Sequence, residues 1–203
     1  YYVMLGSGER EKPVDYYRAA KAVGNHFFMV MDQPSDSAAW LSGAADACGG
    51  QNVICKGALL NVTGIASPTA DQMAGKKGWY LALSASEQVV TSAVTVFGVT
   101  SFSTHQPAVY GAATCTPNLG ETRLYKRDYL TGKNVNGTNN DYQDVSGDGL
   151  PPSPVAGQVV LDDGTVVPFC IGCSNESPLE GTLPKAAGAV IQPKNRLYWY
   201  LQK

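Results

Sequence analysis

The chain has 203 residues, 44% of them hydrophobic and 16% charged, so it can bury a core and is not an intrinsically disordered segment. Its formal net charge of −2 at pH 7 excludes the strong positive potential typical of proteins that bind nucleic acids or anionic membranes. The 22 Gly and 12 Pro residues favour short strands joined by turns over long helices. No apolar run is long enough to predict a membrane-spanning helix.

The first quarter of the chain predicts two strands and one helix. Apolar and aromatic residues predict strands at Tyr1–Gly6 and His26–Met31. A helix is predicted at 35–48, because Ser35 or Asp36 can cap its start and two glycines follow its last residue. In an all-β fold, such a helix is a short insertion that lies on one face.

The segment from residue 78 to residue 105 is the strongest β signal in the chain. Trp79 and Leu81 alternate with smaller or more polar neighbours, as in a half-buried strand. Two further strands are predicted at 94–99 and 100–104, separated by tight turns. Three consecutive strands of this kind form an antiparallel meander, the unit of a β-propeller blade. At roughly 40–50 residues per blade, the chain has room for about four blades.

The second half predicts further strands and one hairpin. The sequence Asp162-Asp163-Gly164 is a strong turn signal between two β-rich runs. The segment 174–189 is predicted as a loop. The predicted strands of this half are Glu121–Leu130, Val155–Leu161, Thr165–Cys170 and Arg196–Leu201, the last of them buried.

Five cysteines favour an exported protein. Cys48 and Cys55 flank a six-residue loop that can close on itself, and we expect a disulfide between them. Cys170 and Cys173 form a Cys-x-x-Cys pair followed by turn residues, unlike the helix of a thioredoxin-like site. The alternatives are a bridge within this pair or a bridge from one of its members to Cys115.

One segment offers oxygen ligands at calcium-loop spacing. Asp144, Ser146 and Asp148 stand at the first, third and fifth positions, and Gly149 follows. An EF-hand loop ends in a bidentate Glu at position twelve, where this chain has Val155. The sequence therefore offers two interpretations of this segment, a calcium site and a solvated turn.

Several motifs, in order along the chain, resemble the C-terminal β-propeller domain of the PilY1 family of type IV pilus tip and biogenesis proteins. They cover about two thirds of the chain, although none is highly specific alone. They are Tyr2–Pro13 (YVMLGSGEREKP), Asn25–Asp32, Gly78–His105, Cys115–Tyr125, Gly149–Gly157 and Gln192–Lys203.

The resemblance implies an all-β, partial β-propeller fold related in shape to quinoprotein dehydrogenases. Residues 1–203 would then form the C-terminal part of one propeller domain, a fragment of a longer exported protein. The implied function is non-catalytic. It is support of pilus assembly and extension and of surface adhesion, at the pilus tip or the outer-membrane surface after export through the periplasm. The implied partners are minor pilins and a host or surface receptor. Family members are also associated with calcium.

Two alternatives from other classes remain open. One is a lectin-like adhesin, since aromatic residues in loops are typical of sugar or protein contacts. These residues are Tyr16, Tyr17, Tyr110, Tyr129 and Tyr142. The other is a fragment of a quinone-cofactor dehydrogenase, because that class has a related fold. Neither of the two histidines lies in a recognisable catalytic motif.

Overall fold

In a computed structural model of the chain, the described residues are 1–11, 23–108, 119–145, 149–174 and 181–182. They form twelve strands in three sheets, and all strand pairs are antiparallel except β3 with β4. The strands are β1 (Tyr2–Gly6), β2 (His26–Met31), β3 (Leu60–Asn61), β4 (Gly78–Ala82), β5 (Gln88–Val89), β6 (Val94–Val96), β7 (Val99–Gln106), β8 (Glu121–Asp128), β9 (Gln143–Asp144), β10 (Val155–Val160), β11 (Val166–Ile171) and β12 (Gly181–Thr182).

The first sheet has the order β1-β2-β4-β3, and the second has the order β5-β7-β8-β9 with β6 paired to β7. The third sheet has the order β10-β11-β12. The all-β class is therefore confirmed. The three sheets of the described residues do not close into a barrel, which is consistent with a partial β-propeller; about four blades were expected.

The predicted meander at 78–105 is wrong in its pairing. The Trp79 strand forms as expected, with Trp79 and Leu81 buried, but β4 joins β2 and β3 in the first sheet. Only the β6–β7 hairpin remains of the meander, with Phe97 and Gly98 in left-handed conformations at its two-residue turn. The turn before β5 thus carries the chain from one sheet to the next.

The core lies between the first two sheets. The rings of Phe27 and Phe102 stack at 3.7 Å between centroids, and Phe102 also stacks on Tyr125 at 5.0 Å. The indole nitrogen of Trp79 donates to the carbonyl oxygen of Tyr129 at 3.1 Å. The core residues are Phe27, Met29, Val62, Trp79, Leu81, Val89, Phe102 and Tyr125.

The segment after β1 ties the two sheets together. Val89 donates its backbone N–H to the carbonyl oxygen of Ser7 at 3.0 Å, and Glu9 donates its backbone N–H to Oε1 of Gln88 at 2.8 Å. A Cβ atom at Gly8 would overlap the backbone of Val89, so this position needs glycine. The close approach makes the first two sheets one packed unit.

The helical insertion is shorter than the prediction of 35–48. The α-helix covers Ser37–Ser42, between 3-10 turns at Pro34–Asp36 and Asp46–Cys48. It ends at Gly43, since glycine is a poor helix former. Trp40 holds this insertion against the first sheet, because its indole nitrogen donates to the carbonyl oxygen of Met31 at 3.1 Å.

The second half contains the predicted hairpin and one short strand that was not predicted. The hairpin around Asp163 forms as expected, as β10 and β11. The segment 174–189 is not entirely a loop, since Gly181–Thr182 pairs with β11. The predicted strand at 196–201 lies outside the described residues. Within the part of the chain that is described, no helix has the length and apolarity needed to cross a bilayer.

Candidate interaction surface

The outer face of the first sheet is apolar, although its opposite face already packs on the core. We define the outer face as Val3, Leu5, Phe28, Val30 and Tyr80. In β2 and β4 these residues alternate with buried side chains, and Leu5, Phe28 and Tyr80 are register neighbours in one row. Leu5 is 53% exposed and Val3 is 42% exposed. Antiparallel sheets with one face in water usually carry polar residues there, so this apolar face is a candidate interaction surface.

A polar corner borders the outer face. His26 stacks on Phe28 at 5.4 Å between ring centroids, and Nζ of Lys56 lies 2.7 Å from Nε2 of His26. The same ammonium lies 4.6 Å from the ring centroid of Tyr80. Burial, and next the positive charge of Lys56, lower the pKa of His26. The corner therefore presents a neutral imidazole and one cation beside two aromatic rings at neutral pH.

A buried charge network lies in the second sheet. The carboxylate of Glu87, whose side chain is fully buried, accepts from Nη1 of Arg123 at 3.0 Å and from the hydroxyls of Thr104 and Tyr125 at 2.5 and 2.8 Å. Burial, and next the charge of Glu87, raise the pKa of Tyr125. Burial is the largest influence on Arg123 and lowers its pKa, but Glu87, Tyr142, Tyr125 and Glu121 together outweigh burial, so the pKa of Arg123 is raised. The network locks the loop before β5 onto β7 and β8.

A second ion pair fixes the loop after β8. Arg127 is fully buried, and its Nη2 donates to Oδ1 of Asp141 at 2.5 Å. The other oxygen of Asp141 accepts from the backbone N–H of Gly64 at 2.9 Å. Sequence reasoning missed both buried arginines. The one available signal was that Arg123 and Arg127 share one face of a predicted strand with the aromatic residue Tyr125 between them.

The calcium hypothesis rests on residues that are only partly described. Asp144 lies in β9, where it is exposed and pairs in register with Arg123, while Ser146 and Asp148 lie outside the described residues. The preceding asparagine-rich loop is held by its own amides, since Nδ2 of Asn134 donates to the carbonyl oxygen of Asn140 at 2.6 Å. Within the described ranges no three His, Cys, Asp or Glu side chains gather into a possible metal site. Calcium binding stays a prediction.

The cysteines form two disulfides in the described residues. Cys48 bonds to Cys55, the pair that the short loop favours, with 5.7 Å between Cα atoms. Cys170 bonds to Cys173, which is the first of the two alternatives left open by the sequence. Cys115 lies outside the described residues. The first bridge fastens the helical insertion, and the second lies at the end of β11.

The described loop aromatics pack against the fold. The ring of Tyr129 makes an edge contact with Tyr2 at 5.4 Å, and Tyr142 packs on Tyr125 and under the guanidinium of Arg123. Tyr16, Tyr17 and Tyr110 lie outside the described residues. Tyr129 and Tyr142 thus cover the ends of strands, and the half-buried aromatic pair Phe28 and Tyr80 on the outer face was not predicted.

No family model and no curated protein sequence matches the chain. Among solved structures, the C-terminal domain of Pseudomonas aeruginosa PilY1 matches with 14% sequence identity and a TM-score of 0.47. The match covers 84% of this chain but only 39% of that domain, so the activity and partners of the whole domain remain proposals here. PilY1 is also the family that the sequence motifs resemble.

Proposed function

We propose that this chain is part of a non-catalytic, propeller-type platform in a type IV pilus tip-associated protein, and that it supports pilus assembly and extension and surface adhesion. The ordered set of sequence motifs supports the pilus context. The first two sheets, tied together by the segment after β1, support the role of a rigid platform. Two disulfides fit export through the periplasm to the pilus tip or the outer-membrane surface.

The outer face of the first sheet is the observation that carries the docking role. A minor pilin that buries Leu5, Phe28 and Tyr80 would remove a contiguous apolar patch from water. The ammonium of Lys56 at its border would favour a partner with an acidic group near its apolar contact. Rigid sheets beneath the patch keep the entropy cost of docking low.

The test is complementation of a piliated bacterium that lacks the parent gene. The parent protein carrying Phe28→Glu places a charge in the outer face, and the matched control Val160→Glu places a charge at an exposed position on β10. We expect loss of surface pili with Phe28→Glu and normal piliation with the control. Equal piliation by both variants, at equal protein levels, would contradict the proposed docking face.

The polar corner favours a second candidate function, that of a lectin-like adhesin. Aromatic rings beside a cation and an imidazole are suited to stacking on a sugar ring and to hydrogen bonding with its hydroxyls. A glycan array with the purified chain separates the two candidates. Binding of a defined glycan that Tyr80→Ala abolishes would favour the adhesin, and pilin binding without glycan binding favours the platform.

The non-catalytic assignment and the calcium assignment have their own tests. A quinone-cofactor dehydrogenase would show cofactor absorption and dye-linked alcohol oxidation, and we expect neither from the purified protein. For calcium, titration calorimetry at millimolar concentrations should show heat that Asp144→Asn removes. The exposed turn variant Asp162→Asn serves as its control.

A further inference from the structure

Strand β1 is the first strand in the order of its sheet, so within the described residues it pairs on one side only. Tyr1 and Asp32 exchange both backbone hydrogen bonds, at 2.6 and 2.8 Å. Because hydrogen-bonded and non-hydrogen-bonded pairs alternate along antiparallel strands, Tyr2 and Met4 direct their N–H and C=O groups away from β2. This edge has neither a charged residue nor a proline to protect it, and an extended peptide can pair with it.

The edge is closed just after Gly6. Val89 donates its backbone N–H to the carbonyl oxygen of Ser7 at 3.0 Å and so takes the position that a pairing strand would use next. A Cβ atom at Gly6 would overlap the side chain of Val89, which shows how closely the two segments approach. An extended peptide that pairs with Tyr2 and Met4 therefore ends at Gly6, and the edge favours a chain terminus as its ligand.

A mostly polar cleft of about 510 Å³ lies at this closed end, within the size range of ligand pockets. Arg10 is the one charged side chain among the described residues that line it. Nη1 of Arg10 donates to the carbonyl oxygen of Val90 at 2.7 Å, and the other guanidinium N–H groups have no hydrogen-bond partner in the described ranges. The hydroxyls of Ser92 and Ser153 also line the cleft and can donate to an anion. The anchored guanidinium thus keeps donors for a ligand.

We propose that this site binds the C-terminal segment of a partner protein, as an extended strand that runs parallel to β1 and ends in a free carboxylate beside Arg10. The closed edge requires a chain end, and the cation favours a carboxyl terminus over an amino terminus. Glu9 and Glu11, the chain neighbours of Arg10, are not among the described residues of the lining. A guanidinium can bind a carboxylate through two parallel hydrogen bonds, and the bond to Val90 already restricts its position.

The other long edge, β10, lacks these features. Its strand leads into a turn with two carboxylates, Asp162 and Asp163, which would repel the carboxylate of a peptide that runs parallel to β10. Val159 and Val160 near its end are 48% and 66% exposed, so no described segment closes that edge as Val89 closes the edge of β1. The terminus-binding site is therefore assigned to β1.

Capture from synthetic peptide libraries tests the choice of terminus. The immobilised full chain is offered N-acetylated random heptapeptides with free carboxyl termini, and bound peptides are sequenced by mass spectrometry. One control library has the same acetylated peptides with C-terminal amides, and the other has free amino termini and C-terminal amides. We expect enrichment from the free-carboxyl library alone. Enrichment from either amidated library, or from none of the three, would overturn the proposal.

An enriched peptide then tests the role of Arg10. By fluorescence anisotropy, Arg10→Gln should weaken binding about tenfold, and Arg10→Lys, which keeps the charge, should recover part of the affinity. Lys133→Gln removes a cation from an exposed loop position and serves as the matched control, with the affinity of the unchanged chain. Equal affinities of Arg10→Gln and Lys133→Gln would overturn the proposal.

Hydrogen exchange measured by NMR locates the bound peptide. At saturation the peptide should slow exchange of the Tyr2 and Met4 amides about tenfold and leave the Leu124 amide unchanged, because β8 is already paired on both sides. Unchanged exchange at Tyr2 and Met4 would overturn the proposal. Met4 and Arg10 lie outside the outer face of the first sheet, so these measurements can fail while the docking role of Phe28 stands, and the reverse.

Discussion

The buried Glu87–Arg123 pair provides the sharpest stability prediction. Arg123→Leu removes the cation and leaves the carboxylate of Glu87 in a fully buried site. Its remaining donors, among them the Tyr125 hydroxyl at 2.8 Å, are neutral. Breaking a buried pair by removing one partner costs about 3–5 kcal/mol of unfolding free energy, because the other charge remains uncompensated.

Three further variants separate charge from packing. Glu87→Gln keeps the side-chain shape and loses a charge-assisted hydrogen bond, at a cost of about 1.5–3 kcal/mol. The double variant Arg123→Leu/Glu87→Gln leaves no unpaired charge, so it should be more stable than Arg123→Leu alone. Glu121→Gln removes the exposed carboxylate, 3.0 Å from the same guanidinium, and should cost less than about 1 kcal/mol.

The assay is urea unfolding at pH 7, monitored by tryptophan fluorescence. The slope of unfolding free energy against urea concentration must be the same for all variants if their free energies are to be compared. The expected loss is a large fraction of the total stability of a typical domain, about 5–15 kcal/mol. The reasoning is refuted if Arg123→Leu costs less than about 1 kcal/mol, or if the double variant costs the sum of the singles.

Three further predictions concern a turn, a disulfide and a histidine. Gly132→Ala and Gly137→Ala each force alanine into a left-handed conformation, at about 1–2 kcal/mol of unfolding free energy, but only Gly132 lies against the indole of Trp79. Calorimetry should therefore show an additional loss of ~1–3 kcal/mol for Gly132→Ala. Equal losses for the two variants would contradict this packing. The double variant Cys48→Ser/Cys55→Ser should lose about 2.5 kcal/mol of unfolding free energy, measured with urea, because the bridge closes only a short loop in the unfolded chain. An unchanged free energy of unfolding would contradict a formed bridge. Folding lowers the pKa of His26, so its contribution to the free energy of unfolding is fully present above its unfolded pKa of ~6.5 and is lost as the pH falls below that value. In urea unfolding between pH 7.5 and 5, the stability of His26→Gln should therefore fall less than that of the unchanged protein. Identical pH profiles for the two proteins would contradict the shift.

Local sequence pattern predicted strands better than it predicted their partners. The alternation around Trp79 correctly indicates a half-buried strand. Its pairing with β2 makes Trp79 and Phe27 neighbours on the core face of the first sheet, at 6.0 Å between ring centroids. Proximity along the chain favoured the next strand instead, and neighbouring strands do pair in most cases but not in this one.

The candidate interaction surface was harder to predict for a related reason. Phe28 and Tyr80 belong to strands that are apolar on both faces, and sequence alone does not tell which face lacks a neighbour. Glu87 follows a turn and has the composition of a solvent-exposed residue, but three partners from distant strands bury it. The disulfide at Cys48 was predictable because its loop is short and local.

Direct binding to minor pilins tests the central claim, that the outer face of a rigid β platform docks on the pilus. Isothermal titration of purified minor pilins with this chain should give saturable binding. The Phe28→Glu variant should lose it, and the Val160→Glu variant should retain it. Absence of binding by the unchanged chain, or equal binding by Phe28→Glu, would contradict the account.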